Sequence, residues 1–297
     1  MTSIVRFIAA LLLLAGSAAC ASEPIHIEAQ ARHEGPVETR NGAIRVGDQA
    51  TIEGPVESRN GAIILGSGVE ADDVQTRNGA ITAGSGGHFG DVATRNGSIE
   101  LGADSRAGDV SSRNGKISVG AGSEVRSLYT RNGAIRGATS VRVGKGVTSR
   151  NGSVSFDSDS RIEGDVETRN GRIRLRGAEA GGSLISRGGG IELESGADVA
   201  GDVRIELEPD ESGSWLSLFV WFSGGSKYGD AGDIKVLGGS TVHGDLVVRL
   251  PADYSGDMPV VTIDGDSRVL GTVRVDSRVT LEIADGAETG GVERLEP

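Results

Sequence analysis

The chain has 297 residues, including 48 glycines and one cysteine, and its 30 basic and 42 acidic residues give a formal net charge of −12. An acidic balance of that size argues against nucleic acid as a partner. A lone cysteine rules out an internal disulfide framework.

Residues 1–21 read as an export signal. Arg6 is the charged n-region, Phe7 to Ala15 an apolar stretch too short to span a bilayer, and Gly16 to Ala21 a small-residue cleavage zone. Cys20 has the surroundings of a lipoprotein processing site, with Ser17 where leucine is usual, but Ala19-Cys20-Ala21 suits an ordinary signal peptidase equally well. Both outcomes, lipidation of Cys20 or its removal, place the mature chain in the periplasm, at the outer membrane or on the cell surface.

Residues 22–36, with the alternating Ile25-His26-Ile27-Glu28, read as an N-terminal cap. Regular coils are expected over residues 37–207. There Thr39-Arg40-Asn41-Gly42 recurs, with Ser or Thr in first place, and ends in the decayed copy Ser186-Arg187-Gly188-Gly189. The nine arginines are spaced 18 or 19 residues apart, and a fixed period of that length marks a repeat architecture. Aligned on arginine, position −3 is Val or Leu, position −1 is Ser or Thr, and position +4 is Ile or Val. Position +6 is mostly apolar, with Ala83 and Gly137 as gaps.

Alternation on both sides of Asn-Gly predicts two short strands joined by a corner, and Asn-Gly is expected to supply φ > 0 there. A weaker third strand follows, as at Ser123–Val125 and Ser160–Ile162, and Gly-Asp-Val marks a second corner at Gly90, Gly108, Gly164 and Gly201. The prediction is an all-β, three-sided, single-stranded parallel β-helix (a β-solenoid) with 18–19 residues per coil. About fifteen coils, near 4.8 Å each, give a rod of roughly 70 Å.

Residues 208–232 break the pattern as an aromatic insertion or flap. Five of the ten aromatic residues lie between Trp215 and Tyr228. Exposed, the run Trp215, Leu216, Leu218, Phe219, Trp221 and Phe222 is a partner or membrane contact; packed down, it shields the side of the solenoid. Residues 233–297 are degenerate C-terminal coils and a cap, with Val279–Ile283 as the expected last strand.

The arginine column faces outward, and it too has two readings. Arg77, Arg95, Arg113, Arg131 and Arg150 lack the glutamate that stands two residues earlier at positions 38, 57 and 167, so they are candidates for a basic stripe that binds an extended anion. The alternative is that each guanidinium bonds corner carbonyls and packs its stem on the next coil. The Ser/Thr and Asn columns are expected to point inward and bond from coil to coil. No metal or cofactor site is expected, since the four histidines share no column and no ligand spacing. The corner aspartates read as turn residues.

The Val-x-Thr-Arg-Asn-Gly-x-Ile-x-Leu repeat over residues 37–207 resembles the bacterial β-strand-repeat adhesin family of exported proteins. The Ser160–Val166 rhythm, and Ser267-Arg-Val-Leu-Gly-Thr-Val-Arg-Val, resemble coils of the polymer-forming bactofilins. Both resemblances imply a right-handed parallel β-helix, and the second also implies end-to-end polymerisation. The expected function is therefore non-enzymatic, an adhesin-like or cell-envelope scaffold contacting an envelope component, a polysaccharide or a protein. The alternatives are a polysaccharide-active β-helix lyase or hydrolase, or a homo-oligomeric filament.

Overall fold

A computed structural model describes residues 24–207, 228 and 230–296. Every strand pairing is parallel, and together the strands form a β-solenoid of about 13 turns. The sheet that begins with Ile25–Ile27 has thirteen strands, one per coil, so the rod is nearer 60 Å than 70 Å at about 4.8 Å per coil. The difference comes from the insertion and from a loop over residues 250–259, which lengthen two coils without adding any.

Each coil runs over three faces. In the coil around residue 90 these are Ile81–Ala83, His88–Phe89 and Val92–Asn96, after which the chain turns the Asn-Gly corner to Ile99–Leu101. They are called here the isoleucine, third and arginine faces. Of the residues expected to cap the N-terminus, Ile25–Ile27 and Arg32–Glu34 form two faces of the first coil, which Val37–Thr39 completes, and Ile25–Ile27 pairs in register with Ile44–Val46. At the other end the last strand is Val292–Leu295, not the stretch ending at Ile283. Among the described residues no further coil pairs with it, and Val292 is 50% exposed in a column buried everywhere upstream.

The inward columns make the core. Ile44, Ile63, Ile99, Ile117, Ile135 and Ile173 are wholly buried in one column, with Ile81 and Val154 completing the stack between them. Each such side chain removed from water contributes about 1.5–3 kcal/mol. The gap at Gly137 is closed from the adjacent coil: a Cβ on Gly137 would lie 2.3 Å from the ring of Phe156, which is 1% exposed. A large residue in one coil thus fills the space a small one leaves in its neighbour.

The Asn-Gly corner does not work as predicted, because none of its Asn or Gly residues has positive φ. Glycine is required by close approach between coils. A Cβ on Gly115 would sit 1.8 Å from the carbonyl oxygen of Gly97, and one on Gly97 would sit 1.9 Å from that of Gly79. Left-handed backbone occurs instead where the isoleucine face turns into the third face. There Gln30, Gln49, Gly68, Gly86, Asp104, Gly122, Ser140, Asp159 and Gly177, one per coil, have φ between +56° and +71°.

The hydroxyl column is buried, as expected. Ser58, Thr76, Thr94, Ser112, Thr130, Ser149 and Thr168 each donate to a glycine carbonyl of the preceding coil at 3.0–3.1 Å. The asparagines, by contrast, face solvent. Each Nδ2 donates to the Oδ1 one coil earlier, from Asn60→Asn41 to Asn170→Asn151, at 2.7–2.9 Å. The amide ladder points outward because the inward site at this corner is filled by the glycine backbone itself.

Candidate binding face

The arginine face is set by strand alternation. Val74 and Thr76 are buried while Gln75, Arg77 and Asn78 are exposed, and the same order recurs in the coils above and below. Thr76 pairs with Thr94 and Asn78 with Asn96, so Arg77 and Arg95 are direct neighbours on the outer surface. The same register carries the column from Arg40 to Arg150.

Among the described residues, Arg40, Arg59, Arg77, Arg95, Arg113, Arg131 and Arg150 form no side-chain hydrogen bond and no ion pair. The expectation that these guanidiniums bond corner carbonyls is thereby corrected. The hydroxyl one residue earlier already donates to the nearest carbonyl, and the remaining corner groups bond coil to coil. At the C-terminal end of the column Arg187 donates to Glu167 at 2.9 Å.

Two columns flank the arginines. On the Asn-Gly side lies the amide ladder. On the other side stand Glu38 and Glu57, then Gln75, Ala93, Ser111, Tyr129 and Thr148, then Glu167, in strict register. The five central coils therefore carry a cation without a carboxylate beside it. A groove of about 1620 Å³ follows this face and is lined by Arg59, Arg77, Arg95, Arg113, Arg131 and the 42%-exposed Tyr129, among others.

Neighbouring cations about 4.8 Å apart repel by roughly 1 kcal/mol in water. Elsewhere the protein neutralises such charges. On the third face Glu124 receives both Arg106 and Arg142 at 3.3 Å, and Arg161 pairs with Glu163 and Glu179. At the Gly-Asp corner, Arg126 bridges Asp91 at 2.7 Å and Asp109 at 2.8 Å. Hydrogen bonds from Arg126 and then Ser127 pull the Asp109 carboxyl down to about 2.

The aspartates of that corner are structural, though not as bonds to their own turns. Asp73 Oδ1 accepts the backbone N–H of Asp91, Asp91 Oδ1 that of Asp109, Asp165 Oδ1 that of Ser183, and Asp202 Oδ1 that of Asp245, all at 2.7–2.8 Å. They form a second ladder, and Gly90 and Gly108 leave room for it: a Cβ at either would meet the aspartate oxygen at 2.4 or 2.2 Å. Among the described residues no group of three His, Cys, Asp or Glu side chains is placed to hold a metal ion.

The flap candidates Trp215, Leu216, Leu218, Phe219, Trp221 and Phe222 lie outside the described residues, as does Cys20. The base of the insertion is described. It leaves the arginine face after Val203–Glu206 and re-enters at Ala231–Val236, so it replaces one copy of the Asn-Gly corner. The loop over residues 250–259 replaces the next copy. The two are tied together: Tyr228 donates to Asp253 at 2.8 Å, Ala231 N–H donates to the Tyr254 hydroxyl at 2.9 Å, and the two rings lie 6.4 Å apart. Sequence reasoning missed this clasp. Tyr254, one of only three tyrosines, standing beside Pro251, was the available signal.

No protein-family model, curated protein or solved structure matches this chain.

Proposed function

We propose that the protein is a non-enzymatic, exported β-solenoid that works by surface contact, as an adhesin-like or envelope-scaffold protein, and that the arginine face is its contact surface for an anionic component. One observation carries the reading. Among the described residues, seven arginines are stacked one per coil with no side-chain hydrogen bond or ion pair, while most of the other described arginines are paired, in a chain whose net charge is −12. A repeated cation held against its own repulsion costs stability, and a ligand that supplies the counter-charge offsets that cost on binding. Repetition then converts weak single contacts into useful affinity along a rigid rod.

The corner carboxylates support the non-catalytic part of the reading. They are occupied by backbone and arginine donors and do not stand as an open acid–base pair. The test is retention of the protein on an acidic polysaccharide support, beside a variant with Arg77, Arg95, Arg113, Arg131 and Arg150 all changed to Gln. Retention of the parent that is lost in the variant supports the proposal. Equal retention of a folded variant, or no retention of the parent, overturns it.

A further inference from the structure

Building on that reading, we infer that the ligand is a linear polyanion laid along the solenoid axis over a footprint of five coils, one charge per coil from Arg77 to Arg150. The width of the cationic feature argues for a chain and against a flat anionic surface. The arginines stand in single file. The column on one side is uncharged from Gln75 to Thr148, and the column on the other is the asparagine amide ladder. A membrane surface calls for a broad basic patch or exposed apolar anchors; a line of cations about 4.8 Å apart matches a polymer whose charges also repeat along one axis.

The ends of the footprint are also built. Toward the N-terminus the next flanking residue is Glu57, and toward the C-terminus it is Glu167, which already holds Arg187. A polyanion extended past Arg77 or Arg150 meets a carboxylate at either end. Between those limits four coil steps of about 4.8 Å give a footprint about 19 Å long. Each outward Asn Nδ2 gives one of its two N–H groups to the ladder, and because the remaining donors are identical from coil to coil, it is the charge spacing that sets the register along the footprint. Tyr129, exposed in the flanking column one coil beyond its central Ser111, offers a flat apolar face on which a sugar ring stacks.

The test uses the protein and oligogalacturonates of defined length from dimer to decamer, with inorganic polyphosphates of matched charge as a second arm and phosphatidylglycerol vesicles as a third. The inference predicts that affinity climbs with each added charge up to about five and then flattens. It also predicts that the dissociation constant rises with salt as about the 3.5 power, near 0.7 per neutralised charge for a single-stranded polyanion. Ser111→Glu, which copies the native Glu57 beside Arg59 into the middle of the footprint, should weaken the pentamer about tenfold. His88→Glu on the third face adds the same charge and should leave binding within about twofold.

The two arms separate carboxylate from phosphate chains. Affinity that does not depend on length, or Ser111→Glu and His88→Glu acting alike, overturns the axial arrangement while leaving anion binding by this face intact. Vesicle binding with no oligomer binding replaces the polymer by a membrane surface. No binding in any arm overturns the underlying proposal together with this one.

Discussion

Gly115→Ala is the perturbation that most sharply separates two explanations of the Asn-Gly corner. If glycine served a left-handed turn there, alanine would cost only the local backbone penalty, about 1–2 kcal/mol. In this structure the added Cβ lies 1.8 Å from the Gly97 carbonyl oxygen and 2.4 Å from its carbon. Relief to an ordinary contact near 3.3 Å requires the two coils to part locally by more than about 1 Å. Three bonds cross that gap: Ile99 N–H to Lys116 O at 2.9 Å, Asn114 Nδ2 to Asn96 Oδ1 at 2.8 Å, and Ser112 Oγ to Gly97 O at 3.0 Å. Parting by about 1 Å takes all three beyond hydrogen-bond range, at about 1 kcal/mol each, with the overpacking strain added. The total is about 4–6 kcal/mol. Gly86→Ala is the control, since its φ is +71° and nothing lies within 4 Å of the new Cβ, so it should cost about 1–2 kcal/mol. Urea unfolding measures both, and amide hydrogen exchange should show the Gly115 variant opening first between residues 96 and 117. Equal costs for the two variants would refute the close-approach explanation.

Other outcomes follow from the same geometry. Ile117→Ala, at a wholly buried site, should cost about 3–4 kcal/mol by urea unfolding, whereas Ser118→Ala, outward on the same strand, should be nearly neutral. Changing the five central arginines to Gln should raise the melting temperature by a few degrees in low salt and by less in high salt, because it removes like-charge repulsion and breaks no bond. If the variant melts lower instead, the column is structural. Asp109, held at about 2 against an ordinary 3.8, stabilises the fold fully above pH about 4 and loses that contribution as pH falls to about 2. Asp109→Asn should therefore flatten the acid limb of a stability–pH profile over that window, and only slightly, because the pair is largely exposed to solvent.

The solenoid was legible because its signals are periodic. Val, Ser/Thr and Ile columns recur at fixed offsets from each arginine, and alternation alone assigns them to the inside. What misled was the corner. Asn-Gly carries a strong local preference for φ > 0, but in a stack of coils each corner is also pressed against the one below. Glycine at 61, 79, 97, 115 and 133 answers to that contact. The true left-handed column was hidden because Gln49, Gly68, Asp104, Ser140 and Asp159 share a backbone conformation and not a side-chain type. The candidate stripe was legible as a row of outward arginines. The missing glutamates beside the five central arginines were legible too; that Arg40 and Arg59 form no pair with Glu38 and Glu57, and that no acid from another coil reaches the column from Arg40 to Arg150 among the described residues, was not. Arg126 finds Asp91 and Asp109 two coils and one coil back, whereas Arg113 has Ala93, Ser111 and Tyr129 around it.

The most direct measurement of the central claim is side-chain NMR of the arginine Nε–H groups as an acidic oligosaccharide pentamer is added to the protein. Shifts should be confined to Arg77, Arg95, Arg113, Arg131 and Arg150. Arg126, Arg161 and Arg174, already paired with Asp109, Glu163 and Glu192, should not move. Equal movement of paired and unpaired arginines, or no movement of the stripe at saturating ligand, contradicts a binding role for this face.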